Sequence, residues 1–356
     1  MSTDKKPVIV WFRQDLRLAD NRALAAAVAT GQPVIPLAII PQADALWAPG
    51  GASRWWHHHA LKALGQSLAK KQSQLIARGG KPEDVLAKLI EETGATSVFV
   101  TRVYEPAAAR ADQSLSAALE KKGVALRRFG GNLLLEPETL KTKGGEPYKV
   151  YTPFWRALVA AGGPKAPIDA PKSWSSPTTW PKSEPIDKLV PPPTKPDWAQ
   201  GLRATWTPGE AGATARLDTF LKNAAANYDE DRNRPDKPGT SRLSPHLHFG
   251  EISPAICWHR AIAFREAQGG KADTGIETFL KELVWREFSY HLLTFWPTLP
   301  DTSFKPEFEK FPWRKLDASG KKFLKAWQRG QTGYPIVDAG MRELWHTGWM
   351  HNRVRM

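Results

Sequence analysis

Three stretches of the sequence bring together side chains that could do chemistry. The first is Phe279-Leu280-Lys281-Glu282-Leu283-Val284-Trp285-Arg286-Glu287-Phe288. On a helix, Glu282, Trp285, Arg286 and Ser289 share one face, while Phe279, Leu283 and Leu292 can turn towards a core. That face is polar with a tryptophan in its middle. Its simplest account is a solvated Glu–Arg pair, worth about 0.3–0.5 kcal/mol, beside a half-buried indole. The second stretch is Tyr228 followed by Gly239-Thr240-Ser241-Arg242-Leu243-Ser244-Pro245. Two hydroxyls, free backbone N–H groups and an arginine before a Ser-Pro helix start are what a phosphate requires, because a helix N-terminus offers unpaired donors and the positive end of its dipole. An ordinary N-cap at Ser244 is the alternative. The third is Val10-Trp11-Phe12-Arg13-Gln14-Asp15-Leu16-Arg17-Leu18-Ala19-Asp20-Asn21. It follows a strand-like run, at the carboxyl edge where open α/β sheets place ligands. It lacks the glycines of a dinucleotide fingerprint. Asp20 or Asn21 could cap the next helix, and Arg13, Asp15 and Arg17 could form structural ion pairs.

Some chemistries are disfavoured. His57-His58-His59 occupy adjacent helical positions that point in different directions and cannot share one metal. There is no CxxC pair, HExxH helix or nucleoside-triphosphatase phosphate loop, which argues against metal-dependent catalysis. The single cysteine, Cys257, excludes an intramolecular disulfide and suits a reducing, cytoplasmic setting, where it reads as an inert core thiol.

The elements that must position these residues fall into two classes. Val8–Phe12, Val34–Ile40, Ser97–Thr101 and Val124–Arg128 read as strands of a doubly wound parallel sheet. Helices alternate with them: one capped by Ser53 and running to about Lys71, one from Pro82 to Gly94, and one from about Ala107 to Lys122. Residues 139–207 are rich in Pro, Lys, Ser and Thr with little periodicity, and read as a connection draped over the surface. Beyond it the apolar spacing is helical. The expected organisation is an α/β domain over 1–138, a linker over 139–207 and a partial all-α domain over 208–356. The chain of 356 residues is 41% hydrophobic, so both domains can bury real cores. A net charge of +14 favours a polyanionic partner, nucleic acid first, although the charge is scattered along the chain. Sixteen tryptophans are a surplus that suits stacking or electron transfer. No apolar run reaches the length of a membrane span, and no signal peptide is evident.

Taken in order, these motifs resemble the DNA photolyase/cryptochrome family, most closely its microbial cyclobutane-pyrimidine-dimer photolyases. The resemblance covers the whole chain. It implies a Rossmann-like domain that carries an antenna chromophore (methenyltetrahydrofolate or a deazaflavin), an all-α domain that binds FAD, and light-driven repair of pyrimidine dimers in DNA by a monomer. It further implies that Tyr228, Thr240, Ser241, Arg242, Leu243 and Ser244 contact FAD, that Phe279 lines the flavin, and that Arg232 contacts DNA. Glu282 matches the carboxyl that hydrogen-bonds the lesion, Trp285 the ring on which the flipped lesion stacks, and Arg286 a flavin or DNA contact. Stacking of that kind returns about 1–3 kcal/mol per base. Trp313 resembles the surface end of the tryptophan chain that reduces the flavin. In Trp349-Met350-His351-Asn352-Arg353-Val354-Arg355-Met356, Asn352 matches the flavin-proximal, lesion-facing asparagine, Arg353 a DNA-backbone contact, and Met356 the apolar partner of the lesion. A cryptochrome-type photoreceptor and a flavin-free DNA-binding fragment are the alternatives.

Val354-Arg355-Met356 carries no helix stop signal, and the chain reads as cut before the family's remaining flavin contacts. Weak FAD binding, or none, is the expectation for these 356 residues. Flavin absorbance of the purified protein tests it, and a stoichiometric yellow product would contradict it.

Overall fold

The computed structural model describes residues 5–41 and 48–355, so Met356 lies outside the described residues. Five short runs form one parallel sheet: β1 (Val8–Phe12), β2 (Val34–Ile40), β3 (Ile76–Gly79), β4 (Ser97–Thr101) and β5 (Ala125–Phe129), in the order β3-β2-β1-β4-β5. Helices α1 (Arg22–Ala29), α2 (Gly51–Ala69), α3 (Pro82–Thr93) and α4 (Pro106–Glu120) make the connections. Side chains alternate across each strand, so Val8, Val10 and Phe12 enter one core with Leu24 and Leu61, while Ile9 and Trp11 enter another with Leu86 and Leu115. Three details differ from expectation. Strand β3 was missed because Ile-Ala-Arg-Gly is too short to show a period. Helix α2 starts at Gly51 behind an N-cap at Gly50, so Ser53 lies inside its first turn. Strand β5 begins at Ala125, one residue later than expected.

The stretch 139–207 is more than a draped linker. It holds α5 (Tyr151–Ala160), α6 (Ile186–Leu189) and α7 (Gln200–Thr205). Phe154 and Leu158 of α5 are buried in the helical core. Further on, the Glu184 amide donates to the Ala77 carbonyl at 2.8 Å, and the Glu184 carboxylate accepts from the Gly79 amide at 2.9 Å. The segment thereby satisfies the edge of β3, which would otherwise offer unpaired backbone groups. High proline and lysine content hid these roles.

The remainder is helical: α8 (Glu210–Asn223), α9 (Tyr228–Asp231), α10 (Ser244–His248), α11 (Pro254–Ala267), α12 (Asp273–Phe295), α13 (Ala318–Gln328), α14 (Pro335–Thr347) and α15 (Asn352–Arg355). Leu217, Phe220, Cys257, Phe279, Leu283 and Phe288 build the core between α8, α11 and α12. Burial raises the Cys257 thiol pKa to about 12, which keeps it protonated. By contrast, α13 and α14 leave large apolar side chains in solvent, among them Phe323, Trp327, Ile336 and Trp345.

A polar seam joins the sheet to the helical core. Arg17, only 1% exposed, donates to the carbonyl oxygens of Asp20 (3.1 Å), Gly131 (2.8 Å) and Gly250 (2.9 Å) and to Asn132 Oδ1 (3.2 Å). The Glu210 carboxylate, at the start of α8, accepts from the Leu18 and Ala19 amides at 2.9 and 2.8 Å. Buried Glu251 accepts from Trp56 Nε1 at 3.0 Å and from the Gly209 amide at 2.7 Å, and lies 2.5 Å from His246 Nδ1. The N-terminal motif is thus structural: Asn21 caps α1 by accepting from the Leu24 amide, Arg13 pairs with Asp112 at 2.7 Å, and Asp15 accepts from the Thr101 hydroxyl at 2.6 Å.

Gly250 marks the closest approach across the seam. Its φ is +64°, and a Cβ there would lie 1.8 Å from the Gln14 carbonyl oxygen. Gly94 has the same backbone sign (φ +65°) but open space around it. Gly250→Ala should cost about 2–4 kcal/mol, against about 1–2 kcal/mol for Gly94→Ala. Urea denaturation of the two variants checks the difference.

Candidate functional site

Helix α12 carries the site because its face alternates between core and cavity. Phe279, Leu280, Leu283 and Phe288 are buried, while Glu282 and Arg286 line a cavity of about 370 Å³ with Tyr228, Ser241, Leu243, Ser244, Leu247, His248, Phe279, Leu283 and Tyr290. A neighbouring cavity of about 300 Å³ is lined by Thr240, Ser241 and Arg242 together with Arg216, Thr219, Phe220, Asn223, Ala224 and Pro238. Ser241 belongs to both. Most residues singled out in the sequence therefore meet around one pair of hollows.

The 239–244 loop reaches this place through backbone conformation. Arg242 has φ +53°, an uncommon region for a residue with a side chain. Its guanidinium turns away to lie 4.3 Å from the Trp349 ring and 3.7 Å from the Glu343 carboxylate. Helix α10 follows, with Leu243 at the cap position and no side-chain cap hydrogen bond. Ser244 is the first helical residue, so an ordinary N-cap role for its hydroxyl does not hold. The uncapped amides, the Thr240 and Ser241 hydroxyls and the apolar walls of Tyr228, Phe279 and Leu283 suit an anionic linker attached to a flat ring.

The charges pair differently from the sequence expectation. Glu282 pairs with Arg232 at 2.8 Å across the chain, where a Glu282–Arg286 pair along the helix was the simplest reading. Arg286 instead donates to the Asn132 carbonyl at 2.7 Å and to Glu287 at 3.2 Å, and its guanidinium lies 4.9 Å from the Tyr290 ring. Tyr228 is buried between Phe220 and Phe279, and burial pushes its hydroxyl up to about 12. Trp285, 45% exposed, lies flat against Tyr151, with ring centroids 3.6 Å apart and planes 4° apart.

Other expected residues stand apart from the cavity. Trp313 is 75% exposed, and its one ring contact among the described residues is Phe311. Asn352 is exposed at the start of α15, while Arg353 donates to Asn233 Oδ1 at 2.8 and 2.6 Å, next to Arg232. Sequence reasoning overlooked Tyr290, although Glu282, Arg286 and Tyr290 follow the i, i+4, i+8 spacing of one helical face. It also overlooked Tyr151, which lay in the supposed linker, and His248, which carries no sequence signal.

Glu287 points the opposite way, into the polar seam. Its carboxylate accepts from the Leu134 amide at 2.8 Å. Burial raises its pKa to about 7, outweighing the opposing effects of Arg286 and the Leu134 and Leu135 amides.

Two family models match the chain: DNA photolyase over residues 8–172, and FAD binding domain of DNA photolyase over residues 279–356. A deoxyribodipyrimidine photo-lyase of Agrobacterium fabrum is 50% identical over 356 residues, all of this chain and 72% of that protein. Cryptochrome-1 of Arabidopsis thaliana is 35% identical, covering 98% of this chain and 51% of the cryptochrome. The crystal structure of a bacterial class III photolyase from Agrobacterium tumefaciens superposes with a TM-score of 0.94 at 50% identity, covering all of this chain and 72% of that one.

A carboxyl group whose folded pKa lies above its unfolded value of about 4.3 favours folding fully at low pH, and loses that contribution as the pH rises through the folded value. For Glu287 the window runs from the unfolded value up to about 7. Glu287→Gln should therefore lose less stability than the parent protein between those limits, as followed by urea midpoints at a series of pH values.

Proposed function

Because this chain belongs to the DNA photolyase/cryptochrome family, we propose that it is a deoxyribodipyrimidine photo-lyase that repairs cyclobutane pyrimidine dimers in DNA, with FAD as its cofactor. The observation that carries this reading is the adjacency of Glu282 and Trp285. Glu282 lines the cavity, and three residues on, Trp285 exposes an indole held flat on one side. A lesion flipped out of the duplex needs both a hydrogen-bonding group for its polar edge and a ring to replace lost stacking. Identity of 50% to a photo-lyase, against 35% to a cryptochrome, favours repair over signalling.

The fit of FAD rests on the residues already described. Thr240, Ser241 and the amide at Ser244 would hold its phosphates, Arg242 would shape the loop, and Tyr228 and Phe279 would line the ring. Reduced FAD, when bound, supplies on illumination the electron that opens the cyclobutane ring and takes it back afterwards. The protein's own share is to orient and exclude water. Glu282 would hydrogen-bond the dimer, with Arg232 holding its carboxylate in place. Arg286 would fix the cavity wall next to the flavin. Arg232 and Arg353, joined through Asn233, would meet the DNA backbone, and the charge of +14 would steer the duplex. Trp313 would be an entry point for electrons from solution. Arg13, Asp15 and Arg17 are engaged by the fold, so an antenna chromophore would be held by other residues of the α/β domain. No helix among the described residues is long and apolar enough to cross a membrane.

Once flavin absorbance shows FAD bound and a reductant is supplied, blue light should remove dimers from an oligonucleotide that carries one, and darkness should leave them. Trp285→Ala should lower the preference for damaged over undamaged duplex by about tenfold or more, the loss of one base stack. Dimers that persist under light when the flavin spectrum shows FAD bound would overturn the repair reading.

A further inference from the structure

The lesion platform assigned to Trp285 has a support to which no role has yet been given. Tyr151, the first residue of α5, covers one face of the Trp285 indole at 3.6 Å, nearly parallel to it. Its hydroxyl donates to the Lys281 carbonyl at 2.7 Å, one helical turn before Trp285 on α12. Phe288 closes the edge of both rings, 5.9 Å from Tyr151 and 6.1 Å from Trp285. On either side the chain is pinned to the same helix: the Tyr148 amide donates to His291 Nε2 at 3.0 Å, and Phe154 packs on Phe288 at 5.3 Å. Residues 148–154 thus form a strap along α12 that reaches from Lys281 to His291.

An exposed indole on a helix samples several rotamers, and ordering it when a ligand binds costs affinity. A flat ring against one face removes that freedom beforehand. The covered face is also lost to the ligand, so the exposure that remains belongs to the opposite face and the outer edge. We propose that Tyr151 is a positioning residue: it fixes the Trp285 indole in the orientation that receives the flipped pyrimidine dimer, and its hydroxyl bond to Lys281 sets the height of that platform on α12. This inference rests on the repair reading above. It differs from a general packing role because Tyr151 should act on damaged DNA only, and only through Trp285.

The test uses the 356-residue chain and needs no bound flavin. Binding of a duplex with a single cyclobutane thymine dimer is compared with binding of the undamaged duplex, for the parent protein, Tyr151→Ala, Tyr151→Phe, Trp285→Ala and the Tyr151→Ala/Trp285→Ala pair. Tyr151→Ala should reduce the preference for damage by about fivefold to tenfold with undamaged affinity unchanged, a coupling of the size seen between contacting residues. Tyr151→Phe keeps the stack and should retain most of the preference. Tyr151→Ala should have no further effect once Trp285 is Ala. Near-ultraviolet circular dichroism should show the stacked-pair signal in the parent and in Tyr151→Phe and its loss in Tyr151→Ala, with the far-ultraviolet spectrum unchanged. Equal loss of damaged and undamaged binding, a preference that survives Tyr151→Ala, or an effect that persists without Trp285 would each overturn the assignment. A parent protein with no preference for damage would overturn the repair reading itself, and this inference with it.

Discussion

Arg17 is a charge that cannot be discharged by losing its proton, placed where almost no water reaches it. Burying such a group costs several kcal/mol unless its donors find acceptors. Here the two terminal nitrogens find four, from the first strand's own loop, from residues 131 and 132, and from Gly250, while Nε is buried without a partner among the described residues. Asp15, Asp20 and Glu210 surround the guanidinium and oppose the fall in its pKa that burial causes. Its partners come from both parts of the chain, so one side chain ties the sheet to the helical half.

The tie continues to the chemistry through Asn132. Its side-chain oxygen accepts from Arg17, its side-chain nitrogen donates to Gln14, and its main-chain carbonyl accepts from Arg286. Arg286 lies one turn beyond Glu282, and the neighbouring Glu287 accepts from Leu134. Helix α12 is therefore held on one side by the polar seam and on the other by the 148–154 strap. An apolar interface alone would permit sliding, because burial is non-directional. Directional bonds fix the rotation of α12 about its axis, and with it the direction in which Glu282 and Trp285 project.

Much of this could be read from residue types. Runs such as Val-Ile-Val-Trp-Phe announce buried parallel strands, Pro82 marks a helix start, and Gly94 marks a stop in the left-handed conformation. What escaped notice followed from interactions across long stretches of chain. Glu282 takes its partner from residue 232, which helical spacing cannot reveal, and Ser244 lost its expected capping role because Arg242 bends the preceding loop. Strand β3 and helix α5 were obscured by brevity and by a proline-rich setting. Tyr151 mattered only once it was seen against Trp285. The family motifs located the cavity residues, whereas the tertiary fold decided which of them face it together and left Trp313 and Asn352 at the surface.

The carbonyl that Arg17 needs at Gly250 belongs to a residue 233 positions later in the chain. At about 5–20 residues per second, a ribosome takes roughly 12–47 s to supply it. During that interval the α/β half can form its sheet, but its charged pocket stays open to water. Completion of the N-terminal half is therefore a late event in synthesis, timed by the emergence of α8, α10 and the turn at Gly250. A nascent chain stalled before that turn would leave the Arg17 guanidinium beside Asp15 and Asp20 but without the Gly250 carbonyl.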